Sequence, residues 1–225
     1  MKNRIFKCLL IIFILLCVGC SSSSVSSCEK WTEISRKGFV ELEDLNYSRL
    51  EELNDNKIDF TYDQQTNQLK KIDGCYTTVV INDKGDALQS LSNVRSLFGI
   101  TDYSFYCSFF EKRDSCFVIE LQQLYKNIWV DNGYFRIVTD PKGVAMSIEG
   151  HYVPNIDINT HARFTAQECA NMADIKQSRI NDIKLCVIEQ DPTCLLCWKI
   201  SAECEIYYLN SNSGELIRTV STMIN

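Results

Sequence analysis

The chain has 225 residues, a hydrophobic content of 45% and a formal net charge of −6 at pH 7. That length and composition suit one large or two small globular units. The acidic balance argues against nucleic acid and anionic lipid headgroups as binding partners, because both carry the same sign of charge as the protein.

The N-terminus has the pattern of an export signal. Three basic residues precede an almost wholly apolar run over residues 8–18, which is too short for a membrane span. Leu16–Ser21 resembles a bacterial lipobox with Cys20 as the lipidated residue; the alternative is an ordinary cleaved signal peptide. Acyl chains on Cys20 would anchor the chain durably to a bilayer. We therefore expect an extracytoplasmic, membrane-anchored lipoprotein. Cleavage of residues 1–19 would remove three basic residues and no acidic one, so the formal net charge would become −9.

Residues 20–59 form a polar segment between the predicted anchor and the first predicted strand. Ser21–Ser27 is serine-rich and cannot bury enough apolar surface to fold, which predicts a flexible tether. The rest of the segment indicates an N-terminal arm with one short helix around Tyr47–Leu53. No function follows from this arm.

Two longer helices are predicted from capping signals that precede apolar residues at helical spacing. Asp86–Gln89 has capping-box spacing, and Gly99 stands where a helix end favours left-handed backbone. The predicted apolar face comprises Leu88, Leu91, Val94 and Phe98. Thr165–Glu168 is a second capping box, which opens a predicted helix through about Ile180.

Three consecutive antiparallel strands are predicted between Cys116 and Pro154. The turn between the second and third of these strands is Asp140–Gly143, in which proline and glycine occupy positions that favour a type I turn. One predicted apolar face begins with Phe117, Ile119 and Leu121, and another comprises Val144, Met146, Ile148 and Tyr152. The middle strand, Tyr134–Thr139, should run antiparallel to both neighbours.

This stretch resembles the fungalysin/thermolysin propeptide (FTP) domain, which precedes many secreted zinc metalloproteases. The matching segments are Leu121–Lys126, Tyr134–Asp140 and Ile148–Pro154. The chain departs from the family where Asn127 replaces a glycine and Trp129 a proline. We expect Trp129 at an exposed corner between strands, and it is our candidate residue for binding a partner.

The C-terminal part resembles a PepSY module. Leu196–Ile200 matches the family strand written L-x-W-x-V, and Tyr207–Asn210 followed by Ser213–Ile217 matches its closing hairpin. Asn210 replaces the family's aspartate and Ser213 its threonine. The two resemblances together imply an α+β fold with an FTP-like module over residues 60–155 and a PepSY/cystatin-like module over 156–225. Each module is expected to have a helix packed on an antiparallel sheet.

The resemblance implies a non-catalytic, propeptide-like binding protein that inhibits, or assists the folding of, an extracytoplasmic thermolysin-like metalloprotease. The chain is too short to add a catalytic domain to such a pro-region. Its only histidines, His151 and His161, form no His-Glu-x-x-His motif, so we expect no catalytic residue, metal or cofactor. His151 is interpreted as a surface residue. Two alternatives stay open: an envelope interaction lipoprotein without a protease partner, and the remnant pro-region of a truncated protease.

Nine cysteines follow Cys20, and in an exported protein they predict disulfides with at least one thiol left over. Cys107 and Cys116 flank one predicted turn, and Cys186 and Cys197 flank another, so each pair is a candidate disulfide. A further rival function is a thiol oxidoreductase using the CxxC of residues 194–197. We disfavour it because residues three apart on a strand point to opposite faces.

Overall fold

A computed structural model of the chain describes residues 42–102, 104–190 and 193–223. The predicted signal, Cys20 and the serine-rich tether lie outside these ranges. The helices are α1 (Tyr47–Leu53), α2 (Lys84–Ser90) and α3 (Ala166–Met172), with 3-10 turns at Leu91–Val94 and Gln177–Arg179. The strands are β1 (Asp59–Tyr62), β2 (Leu69–Asp73), β3 (Phe105–Lys112), β4 (Phe117–Tyr125), β5 (Ile128–Thr139), β6 (Ala145–His151), β7 (Ile180–Gln190), β8 (Thr193–Ala202), β9 (Glu205–Asn210) and β10 (Leu216–Ser221). Within the described ranges, no helix combines the length and apolar character that a membrane crossing requires.

All ten strands belong to one sheet with β5 at its centre. Eight follow the path β1-β2-β6-β5-β7-β8-β9-β10, and β3 and β4 extend the sheet from β5. β4 pairs along most of one edge of β5, while β6 and β7 share the other edge. The β5–β7 ladder is parallel and has only two residue pairs, Trp129–Cys186 and Val130–Val187. The α+β class is confirmed, and the two predicted modules are halves of a continuous sheet joined at this short ladder.

The N-terminal half buries its main core between α2, the following 3-10 turn and the sheet. The four residues predicted to form one apolar face of this helix all belong to the core, but only Leu88 lies within α2. The predicted helix end near Gly99 is wrong, because α2 ends at Ser90 and a 3-10 turn follows at Leu91–Val94. Gly99 does have a positive φ, of +65°. The predicted start is wrong: the N-cap is Asp83, whose side chain accepts the backbone N–H of Asp86, so the helix begins at Lys84.

The C-terminal half packs α3 against β8 and β9. The capping box of Thr165 and Glu168 is confirmed in both directions. Trp198 fixes the segment before α3, because its indole Nε1 donates to the backbone oxygen of Phe164 at 2.9 Å. The predicted helix end at Ile180 is wrong. α3 stops at Met172, Asp174 adopts a left-handed φ of +55°, and Ile180 is already the first residue of β7.

The predicted strands and turn after Cys116 are confirmed, with one error of facing. Phe117, Ile119 and Leu121 are buried as predicted. Val144 and Met146 are exposed by 40% and 53%, although their alternation predicted burial. The cause is a register shift in which Thr139 pairs with Ala145 and Val138 with Ser147, leaving Met146 as the extra residue of a bulge. A bulge reverses the facing of every residue on one side of it.

Candidate functional site

A groove opens where the β2–β6 ladder stops. That ladder has three residue pairs and ends at Lys71 and Glu149. Beyond it the two strands separate, so that Leu69 of β2 and His151 of β6 line a cavity. Both strands continue past this point without pairing to each other, and solvent reaches the space between them.

Two adjoining cavities make up this groove. One has a volume of about 420 Å³ and includes Asp63, Lys70, Tyr134 and Glu149 in its lining. The other has a volume of about 270 Å³ and includes Tyr47, Tyr62, Phe98 and Tyr152. Both are lined by Gln68, Leu69 and His151, so we treat them as a single site and call it the His151 groove.

Three partly exposed tyrosines form the rim of the His151 groove. Tyr47, Tyr62 and Tyr134 have 40%, 41% and 46% of their surface accessible to solvent. The hydroxyls of Tyr47 and Tyr62 are hydrogen-bonded at 3.1 Å. Burial, with a smaller contribution from this bond, raises the pKa of Tyr47 to about 12, so the Tyr47 hydroxyl is neutral at physiological pH. Tyrosine offers a large apolar ring and a polar tip, the combination that is enriched at protein interfaces.

His151 joins the groove to the C-terminal half of the sheet. Its Nε2 lies 3.0 Å from Oε2 of Glu189 near the end of β7. The His151 side chain is 34% exposed, so it lies at the surface, where it also contacts Glu189. The sequence holds no signal for this contact, because the two residues are 38 positions apart and meet only when β6 and β7 share the edge of β5.

Two acidic side chains, Asp63 and Glu149, also line the groove. The Asp63 carboxylate accepts the backbone N–H groups of Gln65 and Thr66, each at 2.9 Å, within the turn between β1 and β2. These bonds lower the pKa of Asp63 below its usual value, so it stays ionised. Glu149 pairs loosely with Arg136 at 3.9 Å. The site therefore presents carboxylates beside aromatic rings.

A second polar cluster lies at the β5–β7 joint, and we call it the Asp131 cluster. The side chain of Asp131 is only 9% exposed. It accepts hydrogen bonds from Lys199 Nζ at 2.6 Å, Tyr208 Oη at 2.8 Å and Arg218 at 3.0 Å. Burial lowers the pKa of the Lys199 ammonium, but the bonds to Asp131 and Tyr208 outweigh it and the net shift is upward. One carboxylate on β5 thus holds donors from β8, β9 and β10.

Trp129 lies at this joint and not at an exposed corner. The two-residue turn before it is formed by Lys126 and Asn127, both with positive φ, a conformation that asparagine adopts more often than most residues other than glycine. Its ring is half-buried, 6.4 Å from the ring of Tyr106 and 5.3 Å from the Lys184 ammonium. The expected position is therefore wrong, and a role for Trp129 in partner binding stays a prediction.

The eight described cysteines are free thiols in the structure. Cys107 is paired in register with Leu121, which is five residues along β4 from Cys116. That offset separates Cys107 and Cys116 by roughly 16 Å along the strand, so no disulfide can join them without taking the hairpin apart. Cys186 and Cys197, in contrast, are directly opposite each other.

The CxxC motif is divided between the two faces of the sheet. Cys194 packs in an apolar cluster with Val130 and Leu196, whereas Cys197 packs in a different one with Tyr208. In the ranges that the structure describes, no three His, Cys, Asp or Glu side chains come close enough to hold a metal ion.

Comparison with known proteins identifies a similarity in structure but none in sequence. No protein family matches the chain, and no curated protein matches its sequence. The C-terminal domain of YpeB from Bacillus megaterium is similar over 92% of this chain and 100% of that domain, with 10% sequence identity and a TM-score of 0.36. Such a low score gives no basis for transferring a function. The FTP and PepSY assignments stay resemblances.

Proposed function

We propose that this chain is a non-catalytic binding protein of the cell envelope, anchored through Cys20, that receives an extended segment of a protein partner in the His151 groove. The observation that carries the proposal is the early end of the β2–β6 ladder, which opens the groove between two strands. Extended peptides commonly bind beside strands, where main-chain hydrogen bonds give affinity and side-chain pockets give specificity.

The chemistry of the groove fits a peptide segment. Its tyrosine rim supplies ring surface at a low entropic cost, since each side chain has few rotatable bonds. The ionised Asp63 and neighbouring Glu149 favour basic or amide-bearing side chains on the partner. The partner class suggested by the FTP and PepSY resemblances is an extracytoplasmic thermolysin-like metalloprotease. If the chain covers the cleft of the protease, it would inhibit the protease. If it binds only the native state of the protease, it would assist folding of the protease.

The test is an inhibition and binding titration with thermolysin. The purified chain should slow hydrolysis of a peptide substrate, and Tyr134→Ala should weaken binding by roughly 30-fold, the effect of losing an aromatic hot-spot residue. Leu216→Ala is the matched control, because Leu216 is 47% exposed on β10 and lines neither cavity. Loss of binding in the control instead would place the interface at the β10 edge and contradict the groove.

The alternative, an envelope interaction protein without a protease partner, gives a different pattern. The chain would then leave hydrolysis unchanged while Tyr134→Ala still abolished recovery of one defined partner from solubilised membranes. A chain that binds neither thermolysin nor any membrane protein in a Tyr134-dependent way would contradict both versions. The coding sequence directly downstream distinguishes a stand-alone protein from the pro-region of a truncated protease.

A further inference from the structure

Cys186 and Cys197 meet the geometric requirement for a disulfide. They are register partners in the antiparallel β7–β8 pair, and both belong to an apolar cluster with Ile188 and Tyr208. Opposite residues in such a pair have Cα atoms about 4.5–5.5 Å apart, within the range of about 4.4–6.8 Å that disulfides span. The two sulfurs can therefore be joined without separating or shifting the strands.

The folded structure also encloses both thiols. Cys186 is 2% exposed and Cys197 is 0% exposed. Burial raises the pKa of each thiol to about 12, because a thiolate is poorly solvated in an apolar cluster. The charge of Asp131 raises both pKa values, and the charge of Arg218 opposes it. Thiol–disulfide exchange needs a thiolate that an attacking or leaving group can reach. The folded protein supplies neither the ionised sulfur nor the access.

We infer that Cys186 and Cys197 are a disulfide site whose redox state is set while the chain folds and is then preserved by the folded sheet. The oxidant is a small-molecule disulfide. The thiolate of one cysteine attacks it and releases one thiol, and the thiolate of the other cysteine then displaces the second. The two cysteines lose two protons and two electrons, and the oxidant becomes two thiols.

The position of the pair gives its redox state a structural consequence. Cys186 is also the register partner of Trp129 in the two-pair ladder that joins the halves of the sheet. A disulfide to Cys197 would tie β8 to the strand that forms this joint. The loop that it closes spans residues 186–197, which predicts a rise in melting temperature of roughly 5–10 °C relative to the dithiol form.

The test compares oxidation before and after folding. In one arm, the full-length reduced chain is incubated folded with oxidised glutathione, and its thiols are then blocked, unfolded and mapped by mass spectrometry. In the other arm, the chain is unfolded in urea, refolded with the same reagent and mapped. Exposed Cys204 is the internal control for reagent activity. We expect it to react at least about 100-fold faster than Cys186 and Cys197 in the folded arm, because it is exposed whereas they are enclosed in the sheet.

Refolding under oxidant should give the Cys186–Cys197 disulfide, and this disulfide should then resist reduced glutathione until urea is added. The Cys186→Ser/Cys197→Ser double variant should abolish the difference in melting temperature between the two arms. Two results would each overturn the inference. One is oxidation of the folded pair as fast as Cys204 reacts, and the other is refolded protein in which these two cysteines are unpaired or paired elsewhere.

Discussion

Asp131→Ala should destabilise the protein by about 2 kcal/mol, because it leaves Lys199 and Arg218 without their shared carboxylate. Removing one partner of a fully buried ion pair costs about 3–5 kcal/mol. Asp131 fits that description with a side-chain exposure of 9%, but Lys199 and Arg218 are 30% and 37% exposed. Water can therefore solvate part of each stranded cation, which reduces the cost to about 2 kcal/mol. For a chain of this size the melting temperature should fall by roughly 4–8 °C.

Urea unfolding followed by tryptophan fluorescence measures this change, since Trp129 and Trp198 report from β5 and β8. The matched control is Asp182→Ala, which removes a 3.2 Å pair to Lys184 in which both side chains are 53% exposed. An exposed pair of that kind should change stability by less than about 0.5 kcal/mol. If the two variants unfold at the same urea concentration, the Asp131 cluster does not stabilise the contact between the halves of the sheet.

Further predictions concern backbone strain, alkaline pH and helix capping. Gly150→Ala should lower the free energy of unfolding by more than about 3 kcal/mol, because the added Cβ would lie 2.1 Å from a backbone oxygen. The control Gly99→Ala places its Cβ near no other atom and should cost only about 1 kcal/mol for its positive φ, so similar melting temperatures for the two variants would contradict this prediction. The reduced protein should lose stability from about pH 9 upward, because Cys186 and Cys197 ionise near pH 9 in the unfolded chain but near pH 12 in the folded protein. For each thiol, the free energy of unfolding should fall by up to about 1.4 kcal/mol per pH unit over this interval. Their double serine variant should reduce that slope in denaturant titrations, leaving the part that comes from other buried thiols such as Cys107, and an unchanged slope would contradict the prediction. Thr165→Ala should cost about 1 kcal/mol by calorimetry through loss of the capping box, and a neutral result would show that the cap contributes nothing.

Local signals in the sequence identified most of the secondary structure. The helix around Tyr47–Leu53, the capping box at Thr165 and the turn at Asp140–Gly143 all occur as predicted. Each depends on residues within four positions of one another. Errors appeared where one local signal competed with another: Asp83 capped a helix that Asp86 was predicted to open. The bulge at Met146 was equally invisible, because it depends on the partner strand.

The candidate site was largely unpredictable for a related reason. His151 seemed an ordinary polar-face residue because its partner Glu189 is 38 positions away, and the groove exists only because two strands stop pairing. Trp129 is predicted at an exposed corner, but its ring is half-buried beside Tyr106 and Lys184. Only the register of the complete sheet decides whether such a side chain meets solvent or a neighbouring strand.

What the sequence by itself determined is the α+β character and the order of the elements, since these follow from spacing and turn chemistry. What only the tertiary structure decided is which distant strands share the edge of β5. From that single arrangement follow the joining of two halves in one sheet and the three donors around Asp131. Pairing between distant strands is selected by the burial of the whole core, a sum over many residues that no local pattern records.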